Sequence, residues 1–204
     1  ARDAYDAAAE DVRAEVTGLA DLEKAEADYA AIFRNIRKVN NALEVTSISG
    51  PGDGNERFDK MFDSNMDTKF GNSNHTQPII FSVNEPVTAQ YYSFTTGTDS
   101  AQYTGRNPKA WTLFGSNDYS SARPDAATWE VIDAVTDNND LPDANCVEVR
   151  FAIDDPKEYQ YYKLEIPNHP GVWIQLTEIN LYVEGDAADY TAVDEAIASI
   201  PEDL

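Results

Sequence analysis

Residues 57–70 read RFDKMFDSNMDTKF, a polar knot of Asp63, Ser64, Asn65, Asp67 and Thr68 set between Phe58, Met61 and Phe62 on one side and Phe70 on the other. Short oxygen-bearing side chains at this density hold a hard cation, contact a substrate, or satisfy their own backbone in a tight turn. The choice decides how the segments on either side are joined.

Asp63, Asn65 and Asp67 alternate as in an EF-hand loop, where a tight turn aims alternate oxygens inward. The match stops there, since the sixth position is Thr68 rather than Gly and the twelfth is Asn74 rather than Glu. An EF-hand also needs flanking helices, and the neighbouring sequence reads as strands. The bland alternative is an Asx-turn between strands, and on spacing alone that turn is the favoured reading.

Outward from the knot, residues 45–184 are short runs rich in Val, Ile, Thr, Tyr and Phe, separated by Gly, Pro, Asn and Asp clusters. LEVTSIS, PIIFSV, AQYYSFTT, AWTLFGS, WEVIDAV, CVEVRFAI, YQYYKLEI and IQLTEINLYVE are the expected strands. So many strands with no helical period between most of them predict a mainly β, antiparallel β-sandwich or jelly roll. Trp111 and Trp129 begin strand runs with Leu113 and Val131 two places on, so both are expected in the core, and Cys146 is expected to be a buried strand residue. In the adjacent pairs Tyr91–Tyr92 and Tyr161–Tyr162 one ring must face inward and the other outward.

The flanks differ. Val12, Val16, Leu19, Leu22, Ala25, Ile32, Ile36, Val39 and Leu43 recur at threes and fours, predicting an N-terminal amphipathic helical segment over residues 1–44, with a stop and restart offered at Gly18. Residues 185–204 return to helical spacing through Val193, Ile197 and Ile200 and predict a short C-terminal helix, either packed on the first or opening a further module. The sequence opens on Ala1 and closes in mid-pattern at Leu204, and we read it as a segment of a longer protein.

The balance of 15 Lys plus Arg against 37 Asp plus Glu, a formal charge of -22, argues against nucleic acid as a partner. No apolar run reaches the roughly 20 residues of a membrane span, so membrane insertion is not expected. One cysteine excludes an intrachain disulfide, and with two histidines it cannot build a thiolate metal cluster. No GxSxG elbow, HExxH helix or phosphate-binding loop is present, and GPGDG at 50–54 lacks the following Lys, so catalysis is not expected.

In this wider frame RFDKMFDSNMDTKF resembles the stretch near the start of discoidin domains, also called coagulation factor V/VIII type C domains, where Asp-Gly and a polar residue precede Thr-x-Trp. PKAWTLFGSND at 108–118, YQYYKLEI at 159–166 and IQLTEINLY at 174–182 keep that family's order. The resemblance covers about residues 45–184 and is nearest to bacterial family 32 carbohydrate-binding modules, which are galactose-binding-like jelly rolls attached to secreted glycan-active enzymes and surface proteins. It implies a structural Ca2+ held by the Asp63 carboxylate, Thr68, Glu178 and carbonyls near Lys60 and Asn65. Ser64 stands where the family has Gly, which would strain a left-handed turn, and Phe70 stands where it has Trp.

In a sandwich the end loops carry the site, and sugar binding needs an aromatic face with planar amide, carboxylate, guanidinium or imidazole groups beside it. The candidates are Asn72, Asn74 and His75 in one loop, Asp99, Tyr103, Arg106 and Asn107 in a second, and His169 and Trp173 in a third. Each has a duller role available: Arg106 can lock a turn through backbone carbonyls, His75 can be an ordinary loop residue and Trp173 can close the core. With the resemblance, these groups imply a noncatalytic carbohydrate-binding module for galactose-type or amino-sugar glycan termini, within a larger bacterial protein that is extracellular or on the cell surface. Its partners would be glycans and neighbouring modules of the same polypeptide. The competing expectation is a protein-binding, adhesion or spacer module that meets a cell-surface protein.

Overall fold

The computed structural model describes residues 36–52, 54–73, 77–167 and 173–185. Residues 37–184 form one compact unit. The helical expectations for residues 1–35 and 186–204 lie outside the described residues.

The strands are β1 (Ile36–Lys38), β2 (Val45–Ser49), β3 (Phe70–Asn72), β4 (Ile79–Thr95), β5 (Trp111–Ser116), β6 (Glu130–Val135), β7 (Glu148–Ala152), β8 (Glu158–Glu165), β9 (Ile174–Leu176) and β10 (Glu178–Glu184). A single helical turn, α1 (Asn41–Glu44), is capped by Asn40, whose side chain accepts from the Ala42 N–H.

The two expected strands PIIFSV and AQYYSFTT are one strand, β4, running through an exposed stretch at Asn84, Glu85 and Pro86. Its first half pairs antiparallel with β2 and β8, and its second half with β10 and β7. The register breaks between Ser82 and Val87, where the strand turns from one layer into the other. β5 lies beside β8, β6 closes that edge, and β3 and β9 form a separate short pair.

Both layers face a core of Phe81, Tyr92, Phe94, Trp111, Leu113, Tyr162, Leu164 and Leu181. The Phe94 and Trp111 ring centroids lie 4.8 Å apart in edge-to-face geometry, and Phe151 packs 5.0 Å from Trp111. The Trp111 indole N–H donates to the Tyr92 hydroxyl at 2.7 Å, and that hydroxyl donates to Asp133 at 2.6 Å, so the buried polar atoms of two core rings are satisfied. Tyr92 and Tyr162 are buried while Tyr91 and Tyr161 are half-buried, the division that strand alternation demands.

Four expectations are corrected. The helix expected through Leu43 gives way to β1 at Ile36–Lys38, and Leu43 is 74% exposed. Val131 is 60% exposed because the β5–β6 register slips between Leu113 and Phe114, and the extra residue on β6 reverses its faces. Trp129 is half-buried on the outer side, its ring against Tyr119 and Lys163 rather than in the core. Cys146 precedes β7 in a turn at φ 54°, half-buried, with its thiol 3.6 Å from the Met66 carbonyl.

Replacing Tyr92 with Phe strands the Trp111 N–H and the Asp133 carboxylate and should cost about 1–3 kcal/mol in urea denaturation. Val131→Thr, on the exposed face, should stay within about 0.5 kcal/mol of the parent. Equal losses in the two variants would contradict this placement of the core.

Candidate functional site

The polar knot folds as a 3₁₀ turn, Phe58–Phe62, that buries Phe58, Met61 and Phe62 and then presents Asp63. Asp63 and Asn65 each make an Asx-turn, accepting from the Asn65 and Asp67 N–H groups at 3.0 Å. The turn reading is therefore present, but it is not the whole arrangement. Ser64 takes the left-handed φ of 56° that its place in the loop requires.

Glu178, the internal Glu of the last strand, reaches this loop from β10 and is buried. Its Oε1 accepts from the same Asn65 N–H that donates to Asp63 Oδ1, at 3.1 and 3.0 Å, while its Oε2 accepts from Asn41 at 2.7 Å. Two carboxylate oxygens thus converge on one amide. Burial, together with the neighbouring Asp63 charge, pushes the Glu178 carboxyl up to about 7 from an ordinary 4.5, against the pull of the Asn41 and Asn65 hydrogen bonds. The Thr68 hydroxyl donates to Asp63 at 2.8 Å and also lies 3.0 Å from the Asn65 carbonyl. Lys60 enters through its ammonium, 3.3 Å from Asp63 Oδ2.

Among the described residues no three His, Cys, Asp or Glu side chains gather as a metal cluster. The donors that converge here are carboxylate, hydroxyl and carbonyl oxygens, the chemistry a hard divalent cation takes, with carbonyls and water filling its coordination. Crowded anions with a raised carboxyl are what such an ion relieves, so the residues fit it.

The second cluster lies where β3 meets β9. Asn72 pairs with Ile174 and Gly71 with Gln175, which places Trp173 just beyond the end of the pair. A Cβ at Gly71 would fall 2.4 Å from the Glu56 carboxylate and 3.6 Å from the Trp173 ring, so glycine admits both to one place. The Arg106 guanidinium lies 4.0 Å from the Tyr103 ring centroid and 5.7 Å from that of Trp173. Tyr103 is 41% and Trp173 42% exposed. The Arg106 carbonyl accepts from the Gln175 N–H at 3.0 Å, which ties its loop to β9.

Asp99 sits under this surface and accepts from the Lys69 ammonium at 2.5 Å. Lys69, which sequence reasoning did not select, is buried; it also donates to Gln175 at 3.0 Å and lies 3.7 Å from Glu56. The position between Thr68 and the buried Phe70 was the one available signal, and it is weak. Asn107 is turned inward, 2% exposed, and its amide donates to the Leu141 and Pro142 carbonyls. It holds the 138–143 loop. Asn74, His75 and His169 lie outside the described residues.

No protein-family model matches the chain, and no curated protein matches it. Solved structures do. The family 32 carbohydrate-binding module of Clostridium perfringens NanJ, in complex with galactose, aligns at TM-score 0.54 and 13% identity over 72% of this chain and 98% of that one. An F5/8 type C domain from Bacteroides fragilis aligns at 0.57 and 16%, over 74% and 99%. A CBM32 module from Clostridium perfringens, in complex with GalNAc-β-1,3-galactose, aligns at 0.51 and 14%, over 71% and 99%. The chain has the discoidin-like fold. Its sandwich, described above as two antiparallel layers sharing β4, is the architecture of the family 32 modules and F5/8 type C domains.

The raised Glu178 carboxyl gives the discoidin-like unit a signed pH dependence. Because its folded value exceeds the unfolded one, the stabilisation associated with the protonated form is full below about 4.5 and is lost as pH rises through about 7. In chelator, the melting temperature should fall as pH rises over that window, and Glu178→Gln should flatten the slope. Parallel slopes for the two proteins would remove the basis for this assignment.

Proposed function

We propose that the chain is a noncatalytic carbohydrate-binding module that takes galactose-type or amino-sugar glycan termini at its β3–β9 end. The observation that carries this reading is the Arg106 guanidinium set between the exposed rings of Tyr103 and Trp173. An exposed aromatic face takes the apolar C–H side of a pyranose, while a fixed guanidinium donates to its hydroxyls. Asn72 and the Asp99–Lys69 pair lie around the same end as further polar groups. The galactose and GalNAc-β-1,3-galactose held by two similar solved structures support that sugar class. Asn107 is left out of the contact set because its amide is spent on the 138–143 loop.

The reading extends to calcium. Asp63, Thr68, Glu178 and carbonyls near Lys60 and Asn65 would hold a structural Ca2+, which would compensate the two carboxylates and staple the loop to β10. It would compete with the Lys60 ammonium for Asp63. A place outside the cell, within a multimodular bacterial protein, belongs to the same proposal. No described helix is long and apolar enough to cross a membrane.

A second reading draws on the same surface. Tyr, Trp and Arg are also the residues that dominate protein–protein hot spots, so the exposed trio suits a protein-binding or adhesion module. Free monosaccharide separates the two: a small exposed sugar site releases its glycan to high-micromolar or millimolar sugar, whereas a protein interface ignores it.

A glycan array read with and without calcium tests the proposal. Arg106→Ala should lower binding to galactose-terminated glycans at least about tenfold while the melting temperature holds. Asn107→Ala should lower stability instead. Calcium should raise the melting temperature of the parent and leave that of Asp63→Ala unchanged. Glycan binding that survives both Arg106→Ala and Trp173→Ala would sink the sugar-site reading, and a calcium response retained in Asp63→Ala would sink the metal reading alone.

A further inference from the structure

Away from the end loops, the outer face of the β2–β4–β8 sheet carries a groove of about 370 Å3, within the roughly 300–1,000 Å3 range of small-ligand sites. Every lining residue except Ile48 ends in a hydroxyl: Thr46, Ser82, Tyr119, Ser120, Ser121 and Tyr161. None of them is charged, on a chain whose formal charge is -22.

The groove is built on paired backbone. Thr46 lies opposite Ser82, and Ser82 opposite Tyr161, so one cross-strand row supplies three of its hydroxyl-bearing side chains. The Tyr119–Ser121 wall follows the turn after β5, where Asp118 accepts from the Ser116 hydroxyl and the Thr128 N–H at 2.8 Å. Behind that wall the Trp129 ring packs 5.7 Å from Tyr119, and Tyr119 in turn lies 5.4 Å from Tyr161 at 49°. Lys163 is drawn away to the Phe114 and Trp129 rings, 4.1 and 5.2 Å from their centroids. The lining hydroxyls have no side-chain hydrogen-bond partner among the described residues.

We propose that this groove is a second saccharide site, selective for uncharged oligosaccharides. A ligand that suits it must present many hydroxyls, since the lining offers hydroxyls as both donors and acceptors. It must also present an apolar face, for the half-buried Tyr161 ring and Ile48, which the buried Tyr119 ring backs. It must carry no net charge: the lining has no ion to pair with a charged ligand, and the chain's formal charge of -22 disfavours anions in general. A neutral pyranose chain meets all three conditions. The site stands on its own residues and shares none with the Arg106 end, whose guanidinium, ammonium and carboxylates give it a different selectivity.

The test is an amide-resolved NMR titration of the full 204-residue chain with lactose, cellotetraose, xylotetraose and digalacturonic acid. At least one neutral sugar should shift the amides of residues 46–48, 82, 119–121 and 161, with a Kd in the range of about 0.1–10 mM. Tyr161→Ala should weaken that response about tenfold or more, Ser121→Arg, on an exposed position, should block it without touching the fold, and Arg106→Ala should leave it intact. The proposal is overturned if none of the neutral sugars moves those amides, if the response persists in Ser121→Arg, or if digalacturonic acid binds there as well as the neutral sugars. Loss of the galactose response in Arg106→Ala alone speaks to the end site and leaves the groove result separate.

Discussion

The sandwich depends on β4. One antiparallel strand, Ile79–Thr95, gives its first half to β2 and β8 and its second half to β10 and β7, so the two layers are covalently one strand. The register break after Ser82 is what lets it cross, and the exposed Asn84–Pro86 stretch marks the crossing at the rim, where Pro86 costs no interior ladder bond. Inward residues from both halves, Phe81, Tyr92 and Phe94, then share one core with Trp111 and Leu164.

Both candidate clusters are carried by the same two segments. Residues 63–72 begin at the carboxylate knot, pass through Thr68 and Lys69, and become β3; residues 173–178 begin at Trp173, run through β9 as its partner, and end at Glu178. Thr68 belongs to the oxygen cluster and its neighbour Lys69 to the charged layer under the aromatic end. Gln175 joins that layer to the Arg106 loop through its backbone and to Ser100 through its side chain. An ion that tightens the first cluster would therefore act on the same two strands that position the second.

The strands, and which of the described loop residues come together, were legible because they rest on long apolar alternation and on groups with few structural alternatives. Asp63, Thr68 and Glu178 do converge, and Arg106, Tyr103 and Trp173 share one surface. What escaped was local. Ile36 and Val39 fit a helical period, yet so short a run also fits an edge strand, and pairing with β10 decides the matter, leaving only the turn Asn41–Glu44 helical. β3 is Phe-Gly-Asn, three residues with a glycine at the centre, and its identity comes from β9 rather than from its own propensity. Val131 and Trp129 were misassigned because a one-residue bulge reverses faces without any mark in the composition. Asn107 and Lys69 are both polar loop-type residues, and only packing separates the one that braces a loop from the one that underlies the site.

A crystal of the chain soaked with galactose in the presence of calcium tests the central claim most directly. Galactose density stacked on Tyr103 or Trp173 with a hydroxyl on the Arg106 guanidinium is the predicted result. An unliganded β3–β9 end at saturating sugar, or galactose bound elsewhere with Arg106 untouched, would contradict it.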